Sequence, residues 1–238
     1  MGKKFLLALA ALAAGTLFRR WRHPPAPPPP PTACWYSASD GYGGYFEGGQ
    51  LRRYDPDPVE MIDAAGPVTC INRSHNGMRL SELLNGGPLA NGLPEQVGDT
   101  GVTVLPFAQQ LAADRPDLAV VGAGMVDWLF DAITPESYRA MLARAASQAR
   151  ALDIQPVFLG FSRFALSSFI TPDHLARIEL GDDTLRVVAT ELDVPYIDRS
   201  SVEPVMAEDG LHWVRECHEE AALVIAPQLA AIAGLTPA

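Results

Sequence analysis

The segment "DGLHW", residues 209 to 213, places a carboxylate and an imidazole three positions apart. His212 has the ring chemistry of a general base, and Asp209, about one helical turn away, can reach its Nδ1 atom and fix its tautomer. For a DxxH segment taken alone the simpler interpretation is preferred, in which Asp209 caps the last helix and His212 is a surface residue. Catalysis therefore requires a nucleophile and hydrogen-bond donors from other parts of the chain.

Such groups follow three apolar segments that have the composition of strands. Ser39 lies in "YSASDGYG", where small neighbours would let a substrate approach its hydroxyl, although a plain turn serine would have the same surroundings. Gly77 ends "NRSHNG", and its backbone N–H could face the same crevice; a positive φ angle alone would explain this glycine equally well. The third segment continues into "GAGMVDW", in which Asp127 is expected to bind loop backbone.

The elements that must bring these residues together alternate between strands and helices. "LAVVGAG" is apolar throughout, as a central parallel strand should be. Alternation of this kind predicts an α/β fold with a parallel sheet between two layers of helices, and sites in such folds form at the carboxyl ends of the strands. Long loops are predicted at 43–66 and 85–106. The predicted strands are 33–37, 67–72, 118–124, 155–161 and 194–198, and the predicted helices are 78–84, 135 to about 152, one ending near 192 and one beginning near 214.

Length and charge limit the class of protein. The 238 residues are enough for one domain with a full core and few for two. The formal net charge is −10, and five basic side chains precede residue 33, so the remainder is more acidic than the whole. Such a body repels phosphate backbones, which argues against a nucleic-acid partner and fits neutral or cationic substrates. No GxGxxG or GxxxxGK[ST] segment follows a strand, so nucleotide binding has no support.

The three cysteines do not predict a metal site. Cys34, Cys70 and Cys217 show no CxxC spacing, and no His/Cys cluster suits zinc. Cys34 and Cys70 fall in two strands that are candidate neighbours, so a disulfide between them is one interpretation. The preferred interpretation is that they are small buried apolar residues.

The N-terminus has the pattern of a targeting segment. "MGKK" precedes an apolar run, 5–18, that is shorter than the ~20 residues a spanning helix needs, and its alanines offer A-x-A-like cleavage sites. The basic "RRWRH" that follows hinders translocation, so residues 1–23 are predicted to be a signal peptide or a short membrane anchor. Residues 24–32 form a proline-rich linker, and 33–238 the folded domain. The predicted location is periplasmic or extracellular. If residues 1–23 are an anchor and not a cleaved signal peptide, the domain is attached to the membrane.

The order of these segments resembles the SGNH/GDSL hydrolase superfamily, from about Ala33 to Ile232. "DGLH" matches the family's triad acid and base at Asp209 and His212, and "YSASDGYG" is similar to its Y-G-D-S-x-x-x-G pattern with the nucleophile at Ser39. The resemblance implies a three-layer α/β/α fold with a mainly parallel, flavodoxin-like sheet. It also implies serine esterase, lipase, thioesterase or carbohydrate O-deacetylase activity.

The chain departs from the family pattern beside the predicted oxyanion site. Ser37 and Ala38 stand where Gly and Asp are usual. "NRSHNG" resembles the family's N-x-G-x-x-G block, which assigns an oxyanion donor to Gly77. "GAGMVDW" resembles G-x-N-D-W, but Val126 stands where the oxyanion asparagine belongs. Losing one such donor costs on the order of 10²–10³ in turnover, and Asn76 is a candidate replacement.

The sequence therefore predicts a serine hydrolase that acts on small-molecule or glycan esters and needs no cofactor or metal. The alternative is a catalytically degenerate SGNH domain that binds a glycan or a protein partner without turnover. Trp35, Trp128 and Trp213 are predicted to be core or rim residues, and His218 on the last helix is interpreted as an ordinary residue.

Overall fold

A five-stranded parallel sheet forms the centre of the protein in the computed structural model, which describes residues 28–48, 50–89, 102–130 and 133–235. The strands, in chain order, are β1 (Thr32–Tyr36), β2 (Gly44–Glu47), β3 (Gln50–Arg53), β4 (Thr69–Asn72), β5 (Gly87–Pro88), β6 (Thr103–Val104), β7 (Leu118–Val121), β8 (Gln155–Leu159) and β9 (Tyr196–Ile197). The central sheet has the order β4-β1-β7-β8-β9. Counted within the sheet, that order is 2-1-3-4-5, the flavodoxin-like arrangement.

Helices cover both faces of this sheet, which gives the predicted three-layer α/β/α fold. They are α1 (Ser39–Tyr42), α2 (Pro58–Ala65), α3 (Leu80–Asn85), α4 (Phe107–Asp114), α5 (Met125–Phe130), α6 (Pro135–Arg150), α7 (Pro172–Glu191) and α8 (Arg215–Ile232). Apolar residues of α2 and α8 pack on one face of the sheet. Those of α3 to α7 pack on the other. β7 is buried along its whole length because both layers cover it.

Local signals explain where the long helices begin. Thr134 is the N-cap of α6, and its side chain accepts a hydrogen bond from Ser137 N, with Pro135 in the first turn. Thr171 and Pro172 begin α7 in the same way.

The prediction that 43–66 is a long loop is wrong. The segment contains the β2–β3 hairpin and the helix α2. Asp57 caps α2 and Glu60 completes a capping box around Pro58, which is a helix-start signal that the sequence contains. In 85–106, the described residues include the short antiparallel pair β5–β6. The third predicted strand is also shorter than expected, because the chain turns directly after Val121.

A disulfide between Cys34 and Cys70 is excluded. Both thiols are free although their strands are neighbours. Cys34 packs into the core on one face of the sheet, and Cys70 packs against the core on the other. Successive residues of a strand point to opposite faces, and the two cysteines are one position out of register.

The N-terminal predictions lie mostly outside the described residues. The segment 1–23 and the first part of the linker 24–32 belong to this group, and residues 28–31 have no regular secondary structure before β1 begins. The folded unit begins at Pro31. Across the described ranges, no helix combines the length and apolar character needed to span a membrane.

Candidate active site

The candidate nucleophile is at the carboxyl end of a central strand. Ser39 is the first residue of α1, which follows β1 after a two-residue turn, and its side chain is half-buried. Ser37 in contrast is fully buried, and its hydroxyl donates a hydrogen bond to Asp40. The helix α1 lies close to the segment after β4, since a Cβ atom on Gly41 would lie only 2.4 Å from Ser74 Oγ. Ser39, and not Ser37, is therefore the serine with access to a ligand.

The segment around His212 is a loop held by its own hydrogen bonds. The Asp209 Oδ2 atom lies 2.8 Å from His212 Nδ1, and Asp209 Oδ1 accepts hydrogen bonds of 2.9 Å from the backbone N–H groups of Leu211 and His212. Ala207 N donates to His212 O at 2.7 Å and closes the loop. The N-cap of α8 is Val214. The interpretation that Asp209 caps the last helix is therefore wrong.

These contacts determine the charge of Asp209. Burial raises the pKa of its carboxyl, but the hydrogen bond and charge of His212 and the two backbone N–H groups outweigh burial and hold the pKa well below its usual value. Asp209 is thus ionised over the neutral pH range. An ionised carboxylate at Nδ1 orients the imidazole and stabilises the imidazolium that forms when the ring accepts a proton.

Ser39 and His212 meet at two adjoining cavities. Both cavities are lined by Ser39 and His212 together with Met125, Phe164 and Leu211. The first, here the polar chamber, is completed by Asp40, Ser162, Trp213 and His218. The second, here the apolar cleft, is completed by Asn76, Gly77, Val126, Leu129 and Phe130.

The candidate oxyanion residues also line the apolar cleft. Gly77 has φ = +74°, so the conformational and the functional interpretations of this glycine are compatible. Asn76 lies beside it, fully buried, and the Asn76 Oδ1 atom is 3.1 Å from where a Cβ atom on Gly44 would be. Ser39 begins a helix, so its N–H has no partner inside that helix. The predicted donors are therefore grouped on one wall.

The two departures from the family pattern touch each other. Val126, on α5, packs against Ala38, the residue before Ser39, and Phe130 packs against the pair. An Asp and an Asn stand at these two positions in the family pattern, whereas this chain has an apolar contact. Val126 has no donor to offer the cleft. Asp127 accepts a hydrogen bond of 2.9 Å from Leu80 N, so it is structural as predicted, but its backbone partner is the first residue of the helix α3 and not a loop.

A buried ion pair that the sequence did not reveal lies next to Ser39 in the chain. Asp40 and Arg199 are almost completely buried and form a salt bridge, and Arg199 Nε donates to Gly160 O at 2.7 Å. The Arg199 guanidinium also lies 5.8 Å from the centre of the Trp213 ring. Burial raises the pKa of Asp40, but Arg199 and the Ser37 hydroxyl outweigh it, so the net pKa is lowered. The pair thus connects the residue after Ser39 with the residue after His212.

His218 is also part of this site, although the sequence indicated only an ordinary residue of the last helix. It is buried on α8, with the rings of Tyr54 and Trp213 5.6 and 5.7 Å away, and it lines the polar chamber. Burial lowers its pKa to about 4, so the ring is neutral at neutral pH. The three tryptophans Trp35, Trp128 and Trp213 are buried, as predicted.

Comparison with known proteins finds relatives in structure only. No protein-family model matches the chain, and no curated protein matches its sequence. Est24, a carbohydrate acetylesterase from Sinorhizobium meliloti, superposes with a TM-score of 0.67 at 12% identity, over 85% of this chain and 99% of that one. The aryl esterase of M. smegmatis gives 0.66 at 14% identity, over 84% and 99%. A protein from Desulfitobacterium hafniense DCB-2, described as lipolytic and of the G-D-S-L family, gives 0.59 at 10% identity, over 83% and 98%.

Sequence identities this low do not show that the chain shares the activity of these proteins. The coverage shows that the whole fold is shared. The segments around Ser39 and His212 predicted this resemblance, and it is confirmed for the fold. The chain has the α/β/α fold of the SGNH/GDSL hydrolases.

Proposed function

We propose that the protein is a serine hydrolase of esters, with Ser39 as nucleophile, His212 as general base and Asp209 as the carboxylate that orients His212. One observation carries this proposal: Ser39 and the Asp209-held imidazole line the same cavities at the carboxyl edge of the sheet. Nucleophile, base and orienting acid are the three parts that acyl transfer through a hydroxyl requires.

The reaction has two steps. In the first, His212 takes the proton of the Ser39 hydroxyl as its oxygen attacks the ester carbonyl, and then gives that proton to the leaving alcohol. In the second, water releases the acyl group by the same route, and the serine is restored. The backbone N–H groups of Ser39 and Gly77 would stabilise the oxyanion, with the Asn76 amide as the candidate third donor.

Acetyl esters of neutral glycans are the substrate class that we favour. The apolar cleft beside Ser39 suits a short alkyl group, and the acidic chain would repel anionic substrates. The printed name of one structural neighbour, Est24, is that of a carbohydrate acetylesterase. We further propose that the domain is exported, from the basic and then apolar pattern of residues 1–23. Mass spectrometry of the mature N-terminus in the native host tests export.

A second candidate function is supported by the contact between Val126 and Ala38. An apolar pair in place of polar groups is what a domain that binds an ester or glycan without turnover would tolerate. Binding of this kind predicts that acetylated oligosaccharides bind but are not deacetylated.

Hydrolysis of p-nitrophenyl acetate by the full-length chain separates the two candidates. The wild type should exceed Ser39→Ala by at least about 10³-fold in kcat. Ser147→Ala, which removes an exposed serine on α6, is the matched control and should equal the wild type. Equal rates for wild type and Ser39→Ala would refute the hydrolase and favour the binding domain.

A further inference from the structure

The two cavities at Ser39 differ in their linings and would therefore contact different parts of the reacting ester. The apolar cleft contains the candidate oxyanion residues Asn76 and Gly77 and a largely apolar wall, so it suits the acyl group. The polar chamber shares the Ser39–His212 pair with the apolar cleft and has room for about one water molecule. A chamber of that size is too small for a departing sugar alcohol, but it suits the water that must attack the acyl-enzyme.

One polar atom in this chamber is anomalous. Ser162 follows β8, is 4% exposed, and its Oγ atom has no hydrogen-bond partner among the described residues. A buried hydroxyl without a partner costs free energy, and replacing it by an apolar group is close to neutral or stabilising. Stability therefore does not explain a serine at this position, whereas a ligand in the chamber that Ser162 lines would explain it.

We propose that Ser162 and His212 hold the hydrolytic water of the second half-reaction in the polar chamber. This inference rests on the proposed ester hydrolysis. The Ser162 hydroxyl donates a hydrogen bond to the water oxygen, and one O–H of the water is directed at the His212 ring. Two polar partners are the minimum that an ordered buried water needs, and Ser39 and Asp40 lie on the same wall.

The step is balanced within these groups. His212 accepts a proton from the water as the water oxygen bonds to the acyl carbon and the carbonyl electrons move to the oxyanion. The tetrahedral intermediate then expels the Ser39 oxygen, which takes that proton from His212, and the carboxylic acid leaves. Ser162 neither gains nor loses a proton, so it is a positioning residue.

The rest of the chamber is compatible with this step. His212 becomes a cation during the reaction, and a second cation nearby would oppose it. His218 is neutral at neutral pH because burial lowers its pKa to about 4. The charge of Asp40 is balanced by Arg199, so that carboxylate is not a competing base.

Partitioning of the acyl-enzyme between water and methanol tests the assignment. The full-length wild type, Ser162→Ala and the exposed-serine control Ser147→Ala are reacted with p-nitrophenyl acetate in buffer with added methanol. The ratio of methyl acetate to acetate formed reports how well water competes for the same intermediate, and it does not depend on the fraction of folded enzyme. Methanol carries a methyl group that does not fit a chamber with room for one water molecule, so it attacks without the Ser162 hydrogen bond. Loss of that bond to the water should therefore raise this ratio about tenfold in Ser162→Ala and leave it unchanged in Ser147→Ala.

A second readout separates positioning from structural damage. The pre-steady-state burst of p-nitrophenol, which reports acylation, should be the same in Ser162→Ala as in the wild type, while steady-state turnover falls about tenfold. The melting temperature of Ser162→Ala should be equal to or above that of the wild type, because the hydroxyl has no protein partner.

The possible failures are distinguishable. An unchanged methanol-to-water ratio with a normal burst would overturn the water site and leave the hydrolase intact. A burst lost in Ser162→Ala together with a lower melting temperature would show a structural role and overturn the proposal as well. Wild type that releases no more p-nitrophenol than Ser39→Ala would overturn the proposed function, and this inference with it.

Discussion

The two walls beside Ser39 are built by opposite means. The wall that contains His212 is polar, and each of its charges has a named partner: Asp209 for the ring, and Arg199 for Asp40. The wall formed by α5 is apolar, with Val126 packed on Ala38. In the proposed mechanism the acid–base groups are therefore all side chains, whereas the oxyanion would depend mainly on backbone N–H groups. If the proposal holds, oxyanion stabilisation is the weaker of the two contributions to catalysis.

The largest expected effect on kcat comes from removing the negative charge of Asp209 on the polar wall. Asp209→Asn keeps the size of the side chain but cannot stabilise the imidazolium and favours the wrong tautomer of His212. We expect kcat for p-nitrophenyl acetate to fall on the order of 10³–10⁴-fold. Glu208→Gln, an exposed acid directly beside it, is the control and should change kcat less than twofold. A loss below tenfold in Asp209→Asn would contradict the assigned role.

The next largest effect concerns the ion pair of Asp40 with Arg199. Arg199→Met leaves the buried Asp40 carboxylate without its cation, so the free energy of unfolding should fall by about 3–5 kcal/mol in urea denaturation. Adding Asp40→Asn to Arg199→Met should restore part of that loss. The matched control is Arg215→Met, whose ion pair with Glu219 is exposed and screened by solvent, so its loss should change the free energy of unfolding far less. Equal losses in the two single variants would show that burial of the pair is unimportant.

The neutral His218 predicts that the fold weakens in acid. Its folded pKa of about 4 lies below the ordinary value of 6.5, so between these values the unfolded chain binds a proton that the folded chain does not. The free energy of unfolding is therefore unaffected by titration of His218 above pH 6.5. It falls by about 3 kcal/mol in all as the pH decreases from 6.5 to about 4. Urea denaturation at several pH values should show a shallower decline for His218→Gln than for the wild type.

His174→Gln serves as the control for that series, since His174 is only partly buried, on α7. It should follow the wild-type decline. Parallel curves for His218→Gln and the wild type would mean that His218 does not titrate below its ordinary range.

The smallest expected effect is a gain on the apolar wall. Val126→Asn adds a donor facing the apolar cleft and should raise kcat about tenfold, less than the full value of an oxyanion donor because the buried amide must also displace the contact with Ala38. Val126→Leu keeps the wall apolar and should give no gain. A folded Val126→Asn protein with unchanged kcat would show that Asn76 or backbone groups already supply the missing stabilisation.

The sequence predicts those features that depend on periodic patterns or on residues close together in the chain. The alternation of strands and helices predicts the sheet, and Asp209, Leu211 and His212 lie within four positions, so their mutual hydrogen bonds follow from spacing. The glycines and prolines around α2 predict a loop, although Asp57, Pro58 and Glu60 form a recognisable helix start.

Long-range pairs could not be predicted. Asp40 and Arg199 are 159 positions apart, and neither position has a local pattern that indicates burial. Arg199 does follow the last strand of the sheet, where the rule for strand ends would have marked it for inspection. The contact of Val126 with Ala38 likewise depends on how α5 lies against the turn after β1.

Covalent labelling tests the central claim most directly. The full-length chain is reacted with a p-nitrophenyl alkylphosphonate, whose phosphorus atom is attacked by an activated serine, and the modified peptide is sequenced by mass spectrometry. We predict release of one p-nitrophenol per chain with the adduct on Ser39, and no labelling in His212→Ala. An unlabelled wild type, or an adduct on Ser37 or another serine, would contradict the account.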